Sequence, residues 1–262
     1  MFDSRAIVDG LETKYIKPRF HHFEEVDSTN ETAKNKALSG ADYGLFIVAD
    51  EQVAGKGRMN RTWVSPPGGL YFSVYLQAPL NGTPSPILGM LVACATTEAI
   101  RQVTGVDSTI KWPNDLMIGE RKVGGILCEA ISRDGKVIGV VVGVGINLNT
   151  RVSGLSAKFR YPPTSLIEET GKTISREELM RSILMSIDKR IGIVKDRRSY
   201  NDTLEELKWL NRILGYPVVV HTRDETVEGT AVDIRDDGAL VVETASGTRK
   251  PITIGDVTRV IL

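Results

Sequence analysis

The chain has 262 residues, 41% of them hydrophobic and 25% charged, with Lys+Arg and Asp+Glu equal at 33 each. This length buries a substantial core, in one large domain or two, and the composition is that of a globular protein with a charged surface. Zero net charge excludes the basic excess on which non-specific nucleic-acid binding rests. No apolar run reaches membrane-spanning length and no signal-peptide core opens the chain, so a cytoplasmic protein with no DNA and no membrane partner is expected.

In chain order, the mixed N-terminal segment supplies an edge strand ending near Val26. Ser28-Thr29-Asn30-Glu31 has the spacing of a capping box, and Ala33, Ala37 and Leu38 give the following helix a weak apolar face. GLFIVAD (44–50) reads as a short strand, LYFSVYL (70–76) as an alternating one, and QAPLNGTPSP between them and the next helix as a loop. ILGMLVACATTEAIRQV repeats apolar residues at helical spacing and predicts a helix packed on a sheet. TIKW leads into a PND turn. GGILCEAIS and VIGVVVGVGINL flank Arg133-Asp134-Gly135-Lys136, a hairpin by its Asp-Gly core. Thr150 to Thr164 has no periodicity and reads as a long loop. Ser175 and Glu178 form a second capping box for a helix reaching about Lys195, and TLEELKWLNRIL a further helix ending at Gly215. The tail is short strands and turns, with hairpin signals at Arg223-Asp224-Glu225, Asp236-Asp237-Gly238 and Ser246-Gly247.

The expected architecture is α+β: a larger domain over 1–214 with a mixed or antiparallel sheet, and a small β-barrel over 215–262. Cys94 and Cys128 lie in apolar runs and read as buried free thiols, suited to a reducing compartment. The spacing of His21, His22, His221 and the two cysteines provides no zinc constellation. The Rossmann fingerprint, the Walker A spacing and the GxSxG elbow are absent.

Four clusters can carry chemistry. Gly55-Lys56-Gly57-Arg58, with Arg61 and Trp63 following, places three cations and two glycines in nine residues without an acid. Glycines let amides approach an anion and arginine offers a planar fork of donors; a basic surface loop is the other reading. In Lys111-Trp112-Pro113-Asn114-Asp115, Asp115 can hold a cation or orient a lysine; residues alone favour a plain Asx-type turn. Arg121-Lys122-Val123-Gly124-Gly125 puts an ammonium before paired glycines, or is a hairpin facing water. Gly143-Val144-Gly145-Ile146-Asn147 suits a flat ligand over bare backbone with Asn147 at its edge, or is a bulge.

Taken in order, Asp27-Ser28-Thr29-Asn30, Gln52 with AGKGR, KWPND, RKVGGILCE and GVGINLN resemble the biotin–protein ligases, over roughly residues 23 to 262. The resemblance implies a catalytic domain of the class II aminoacyl-tRNA synthetase type and an SH3-like C-terminal barrel. With no helix-turn-helix region before Phe23, the sequence is similar to the short, non-repressor class. The implied activity uses ATP and magnesium to activate biotin as biotinyl-5′-adenylate. The biotin then passes to a lysine of a biotin carboxyl carrier protein domain. Family members of this class include monomers and homodimers.

The resemblance also assigns roles. Ser28, Thr29 and Gln52 match biotin contacts, Asn30 of the same motif a ligand-binding position, and Gly124 and Gly125 the strand start beneath biotin. Gly55, Lys56, Gly57, Arg61 and Trp63 match the loop over bound ligand. Arg58 matches the arginine that retains the adenylate. Lys111, Asn114 and Asp115 match positions near the phosphates, with Asp115 at the metal. Lys122 matches the lysine touching the biotin carboxylate and α-phosphate, and Asn147 an adenine contact. Two departures stand out. The family loop often reads GRGRRGR, so Met59 and Asn60 lower its charge and replace a glycine. Tyr161 is the nearest aromatic to cover adenine, with Trp112 or an aliphatic lid as substitutes. A lipoate–protein ligase, separable by binding of free biotin against free lipoate, and a non-catalytic adenylate sensor are the rival readings.

Overall fold

The structure, a computed structural model, describes residues 2–77, 85–152, 161–196 and 200–260. Seven strands make one mixed sheet: β1 (Arg19–Val26), β2 (Leu45–Gln52), β3 (Leu70–Leu76), β4 (Ser108–Lys111), β5 (Asp115–Ile118), β6 (Arg121–Arg133) and β7 (Lys136–Ile146). Their order is β1-β2-β3-β7-β6-β5-β4, with β1 and β2 parallel and the other pairs antiparallel. The helices are α1 (Ser4–Val8), α2 (Thr29–Leu38), α3 (Ser85–Thr104), α4 (Leu166–Thr170), α5 (Arg176–Asp196) and α6 (Tyr200–Leu210). The α1 turn, capped by Asp3, was not expected from the sequence. No helix among the described residues is long and apolar enough to cross a membrane.

Strand periodicity sorts the two faces of this sheet. Phe72, Val74, Val142, Val144 and Ile126 point to one side, where α3, α5 and α6 supply Leu88, Leu91, Leu179, Ile183 and Leu207 to the main core. The thiols of Cys94 and Cys128 lie within this packing or beside it, and burial pushes both up to about 12. On the opposite face α2 lays Ala33 and Ala37 over Leu45, Ile47, Tyr75 and Val141. Two alanines let the helix axis come close, but α2 spans only ten residues and covers only part of the face. The uncovered remainder is where the glycines of β6 and β7 lie.

The C-terminal segment corrects one expectation. It forms β8 (Pro217–His221), β9 (Thr226–Ile234), β10 (Leu240–Glu243), β11 (Arg249–Ile252) and β12 (Asp256–Val260), with turns at the three expected positions. Their order, β11-β10-β9-β8-β12, is an open antiparallel sheet, and β11 and β12 do not pair. The SH3-like barrel is therefore not formed. Pro251 removes a backbone donor from β11, as suits an edge strand. At the other edge, Lys111 Nζ and Tyr161 Oη both donate to the carbonyl of Val257 in β12. Side chains from β4 and from Tyr161 thus take up a carbonyl of this edge strand. The docking is also apolar: Val218, Val220, Leu240 and Val257 belong to the main core cluster, and Trp112 Nε1 donates to Gly238 O at 3.0 Å.

Candidate functional site

On the α2 face, Gly125 of β6 pairs with Gly145 of β7, and Gly143 stands opposite Leu127 and Ser73. Three positions without side chains leave a shelf of bare backbone beside the N-terminus of α2. A cavity of about 450 Å³ opens over it. Two neighbours need the missing side chains. A Cβ on Gly143 would stand 2.1 Å from Asn30 Oδ1, and one on Gly145 2.4 Å from Trp63 Nε1. Gly124, by contrast, is turned to the core side, where a Cβ would meet Gly145 O at 2.7 Å, and it does not line the cavity.

One wall is a hydrogen-bonded chain. Thr29 N and Oγ1 donate to Gln52 Oε1 at 2.9 and 3.1 Å, and Gln52 Nε2 donates to Ser65 Oγ at 2.8 Å. Ser73 Oγ lies 2.7 Å from Thr29 Oγ1 and 2.6 Å from Asn30 Oδ1, and Asn30 Nδ2 donates to Glu129 at 2.6 Å. Glu129 pairs with Lys34, Lys34 with Glu31, and Glu31 with Lys56. Satisfied buried networks of this kind hold rotamers rigidly. Ser28 is the N-cap by backbone, yet its side chain makes no cap hydrogen bond. Glu31, held below the usual carboxylate range by donors Lys34 and Lys56, does not close the expected box. The Ser28 hydroxyl is therefore left on the cavity wall.

The glycine loop folds as a tight hairpin over the shelf. Lys56 bridges to Thr62, Trp63 N donates to Gly55 O at 2.8 Å, and Gly57 N to Arg61 O at 2.7 Å. Gly55 lies outside the cavity lining; a Cβ there would come within 2.4 Å of Trp63 O, so glycine is what lets the two arms touch. Met59 and Asn60 form the tip at φ 56° and 57°. Asn60 thus sits where the family places a glycine because the backbone is left-handed, a conformation asparagine tolerates and methionine adopts with strain. Trp63 lies over Gly145, its buried Nε1 without a hydrogen-bond partner among the described residues.

The cations converge at the mouth. Lys122 pairs with Asp115 across the β5–β6 hairpin, and its ammonium lies 5.4 Å from the Trp63 ring centroid. The backbone of Lys122 is clamped by Pro162 O and Thr164 N, both at 2.9 Å, so this lysine does not hang from a solvated turn. Arg58 lines the cavity, and among the described residues its guanidinium makes no hydrogen bond. Desolvation lowers its pKa, while Asp256 and Asp115 act the other way. Asn114 donates to Ile126 O at 2.6 Å, tying the KWPND turn to β6 rather than closing it locally. Asn147 lines the cavity with its amide donating to Thr164 O at 2.9 Å.

The structure thus brings Ser28, Thr29, Asn30, Gln52, Lys56, Gly57, Arg58, Arg61, Trp63, Asn114, Asp115, Lys122, Gly125 and Asn147 to one cavity. Lys111 is elsewhere: it is buried, with Nζ on Val257 O at 2.8 Å and 3.5 Å from the Tyr161 ring centroid. Trp112 is buried in the core and is no lid. Tyr161 does reach the cavity, while 153–160 of the long loop and 78–84 of the earlier one lie outside the described residues. Sequence reasoning missed Asp256, which enters the cavity from the C-terminal sheet and pairs with Arg61. Only the turn after β11 hinted at where β12 would begin.

No group of three or more His, Cys, Asp or Glu among the described residues gathers to hold a metal alone. A magnesium ion that arrives with nucleotide takes most ligands from phosphate and water and needs one or two carboxylates. Asp115 on the cavity wall fits that mode.

Two family models match the chain: the Biotin/lipoate A/B protein ligase family over residues 22–147, and the Biotin protein ligase C terminal domain over 213–259. The bifunctional ligase/repressor BirA of Bacillus subtilis is 33% identical over 244 residues, 92% of this chain and 74% of that protein. The biotin–[acetyl-CoA-carboxylase] ligase of Paracoccus denitrificans is 31% identical over 226 residues, covering 84% and 92%. Among solved structures, the biotin protein ligase of Aquifex aeolicus in complex with biotin and ATP superposes with a TM-score of 0.79 at 30% identity, covering 91% of this chain and 97% of that one. A glycine shelf, a basic loop above it and an ordered motif set occur here on a chain alike over nine-tenths of its length, and the chain belongs to the biotin protein ligase family.

Proposed function

We propose that this protein activates biotin with ATP and transfers it to one lysine of a biotin carboxyl carrier protein domain. In the first step a biotin carboxylate oxygen bonds to the α-phosphorus of ATP while the bond to pyrophosphate breaks. In the second, the carrier's neutral lysine amine attacks the acyl carbon, AMP leaves, and the amine's proton is released. No covalent enzyme intermediate is required, in keeping with a cavity that offers cations rather than a nucleophile.

The observation that carries this reading is a single cavity with a neutral hydrogen-bonding wall and a cationic mouth. Ser28, Thr29, Asn30 and Gln52 suit the ureido ring of biotin, which both donates and accepts, whereas the dithiolane of lipoate offers this wall no comparable donor or acceptor. Lys122, oriented by Asp115, meets the carboxylate and the α-phosphoryl oxygens, where negative charge grows in the transition state. Arg58, whose guanidinium makes no hydrogen bond among the described residues, is available to the adenylate. The loop over Gly125 and Gly145 keeps water from the anhydride until the carrier arrives. Asn147 would hold the adenine, with Trp63 lining the same cavity. Asp115 would hold magnesium with the phosphates, and the ion's chemistry is charge neutralisation there. Lys111 serves by holding the C-terminal sheet, through Val257, rather than by touching phosphate. Residues 1–214 are the catalytic unit and 215–262 a unit docked on it.

The test is pyrophosphate release with ATP and magnesium. Biotin should support it and lipoate should not; equal rates with both would refute the assignment to biotin.

A further inference from the structure

We propose that Asp256 is a positioning residue for the ligand loop: from the C-terminal sheet it holds Arg61, and so keeps the loop closed over the adenylate. This rests on the adenylate-forming reading above and goes beyond it, because it makes the dwell time of the intermediate depend on the second sheet.

The loop has few other ties at its tip. Among the described residues, the backbone hydrogen bonds of Gly57 and Arg61 stay inside the hairpin, to Arg61 O and Arg58 O. Its ties outward are ion pairs from the two cations that flank Arg58. Lys56 reaches Glu31 on α2 at 2.8 Å, and Arg61 reaches Asp256 on β12. The two clasps reach different elements, α2 and β12, so the hairpin is tied on either side of Arg58. Asp256 is well placed as an anchor. Its side chain is only 16% exposed against 49% for Arg61, so the acid is the fixed partner and the arginine the moving one. It is paired with His221 in β8, and the next residue, Val257, is gripped by Lys111 and Tyr161. The KWPND strand end, the C-terminal sheet and the loop thus form one mechanical path. The same carboxylate faces Arg58 electrostatically, so holding Arg61 also fixes the field in which Arg58 meets its anion.

The experiment isolates the full-length enzyme loaded with biotinyl-5′-adenylate and follows escape of the adenylate into excess unlabelled biotin and ATP. Wild type, Asp256→Asn, Asp256→Glu, Arg61→Gln and the double variant are compared, with adenylate synthesis measured in parallel. Asp256→Asn should release adenylate roughly threefold to fivefold faster, the scale of a half-exposed ion pair, with a smaller loss in the rate of synthesis. The double variant should release no faster than the worse single one, since both remove one contact. Asp256→Glu should restore most of the retention. Added salt should speed release from wild type more than from Asp256→Asn. Unchanged release from Asp256→Asn, or multiplied effects in the double variant, would overturn the proposal. So would full recovery of Asp256→Asn by raised magnesium, which would make the carboxylate an ion ligand. A wild type that makes no adenylate would instead overturn the function itself.

Discussion

The indole of Trp63 lies on the backbone of Gly145, so close that a methyl group there would stand 2.4 Å from Nε1. The contact joins the basic loop to the floor of the cavity, since Trp63 closes the hairpin through Gly55 O. Gly145→Ala should therefore lift the indole and the loop with it. Overpacking of this kind costs about 1–3 kcal/mol, and it should appear as weaker ligand binding with little loss of melting temperature. Titration calorimetry with biotin and ATP checks this. Binding equal to wild type would show that the indole does not depend on a bare residue at 145.

Lys122 and Arg58 should fail differently. Lys122→Ala removes a cation from the reacting phosphoryl group, and loss of one such contact costs roughly 3 kcal/mol, or about a hundredfold in adenylation rate. Transfer from supplied biotinyl-5′-adenylate should suffer less. Arg58→Gly should still make adenylate but lose it early, so that bystander lysines become labelled. Streptavidin blots of an unrelated lysine-rich protein compare the two, and no extra labelling by Arg58→Gly would remove its retention role.

The loop tip gives a backbone test. Asn60 holds φ at 57°, where glycine is at ease and a β-branched residue pays about 1–2 kcal/mol. Asn60→Gly should leave adenylate retention near wild type, and Asn60→Val should open the hairpin. Limited trypsin cleavage after Arg58 and Arg61 reads this directly: faster cutting of Asn60→Val is expected, and equal rates in all three proteins would contradict the tight turn.

Much of this was legible in local pattern. Leu70–Leu76 is the strand its aromatic and branched residues predict, and the Asp134-Gly135 turn, with φ 51° and 74°, is the hairpin its residues specify. The glycines at 125, 143 and 145 announced bare backbone because strand periodicity puts them on one face. What escaped depends on partners distant in sequence. Lys111, matched by resemblance to a position near the phosphates, donates to the carbonyl of Val257, 146 residues away, a contact that no local pattern announces. Closure of the C-terminal barrel was expected from turn spacing, yet the edge of β12 is occupied by the other sheet. Glu31 has the spacing of a capping box, but Lys34 and Lys56 compete for it.

Acid should loosen the α3–α5–α6 layer. Burial pushes the Glu98 carboxyl up, but Ser186 and Arg190 donate to it and the net displacement is downward. A depressed carboxyl stabilises the fold above its unfolded pKa, about 4.3, and the contribution disappears as pH falls through the folded value. The stability gap between wild type and Glu98→Gln should thus be present at pH 7 and shrink below about 4.3. Urea melts across that range measure it, and a gap independent of pH would contradict the ion pair.

Incubating the protein with a biotin carboxyl carrier domain, ATP, magnesium and biotin, and reading the carrier by intact mass, tests the transfer of biotin itself. One biotin per carrier is expected, attached at a single lysine, lost when ATP or biotin is left out and formed about a hundredfold more slowly by Lys122→Ala. A carrier that stays unmodified, or that accepts lipoate as readily as biotin, would contradict it.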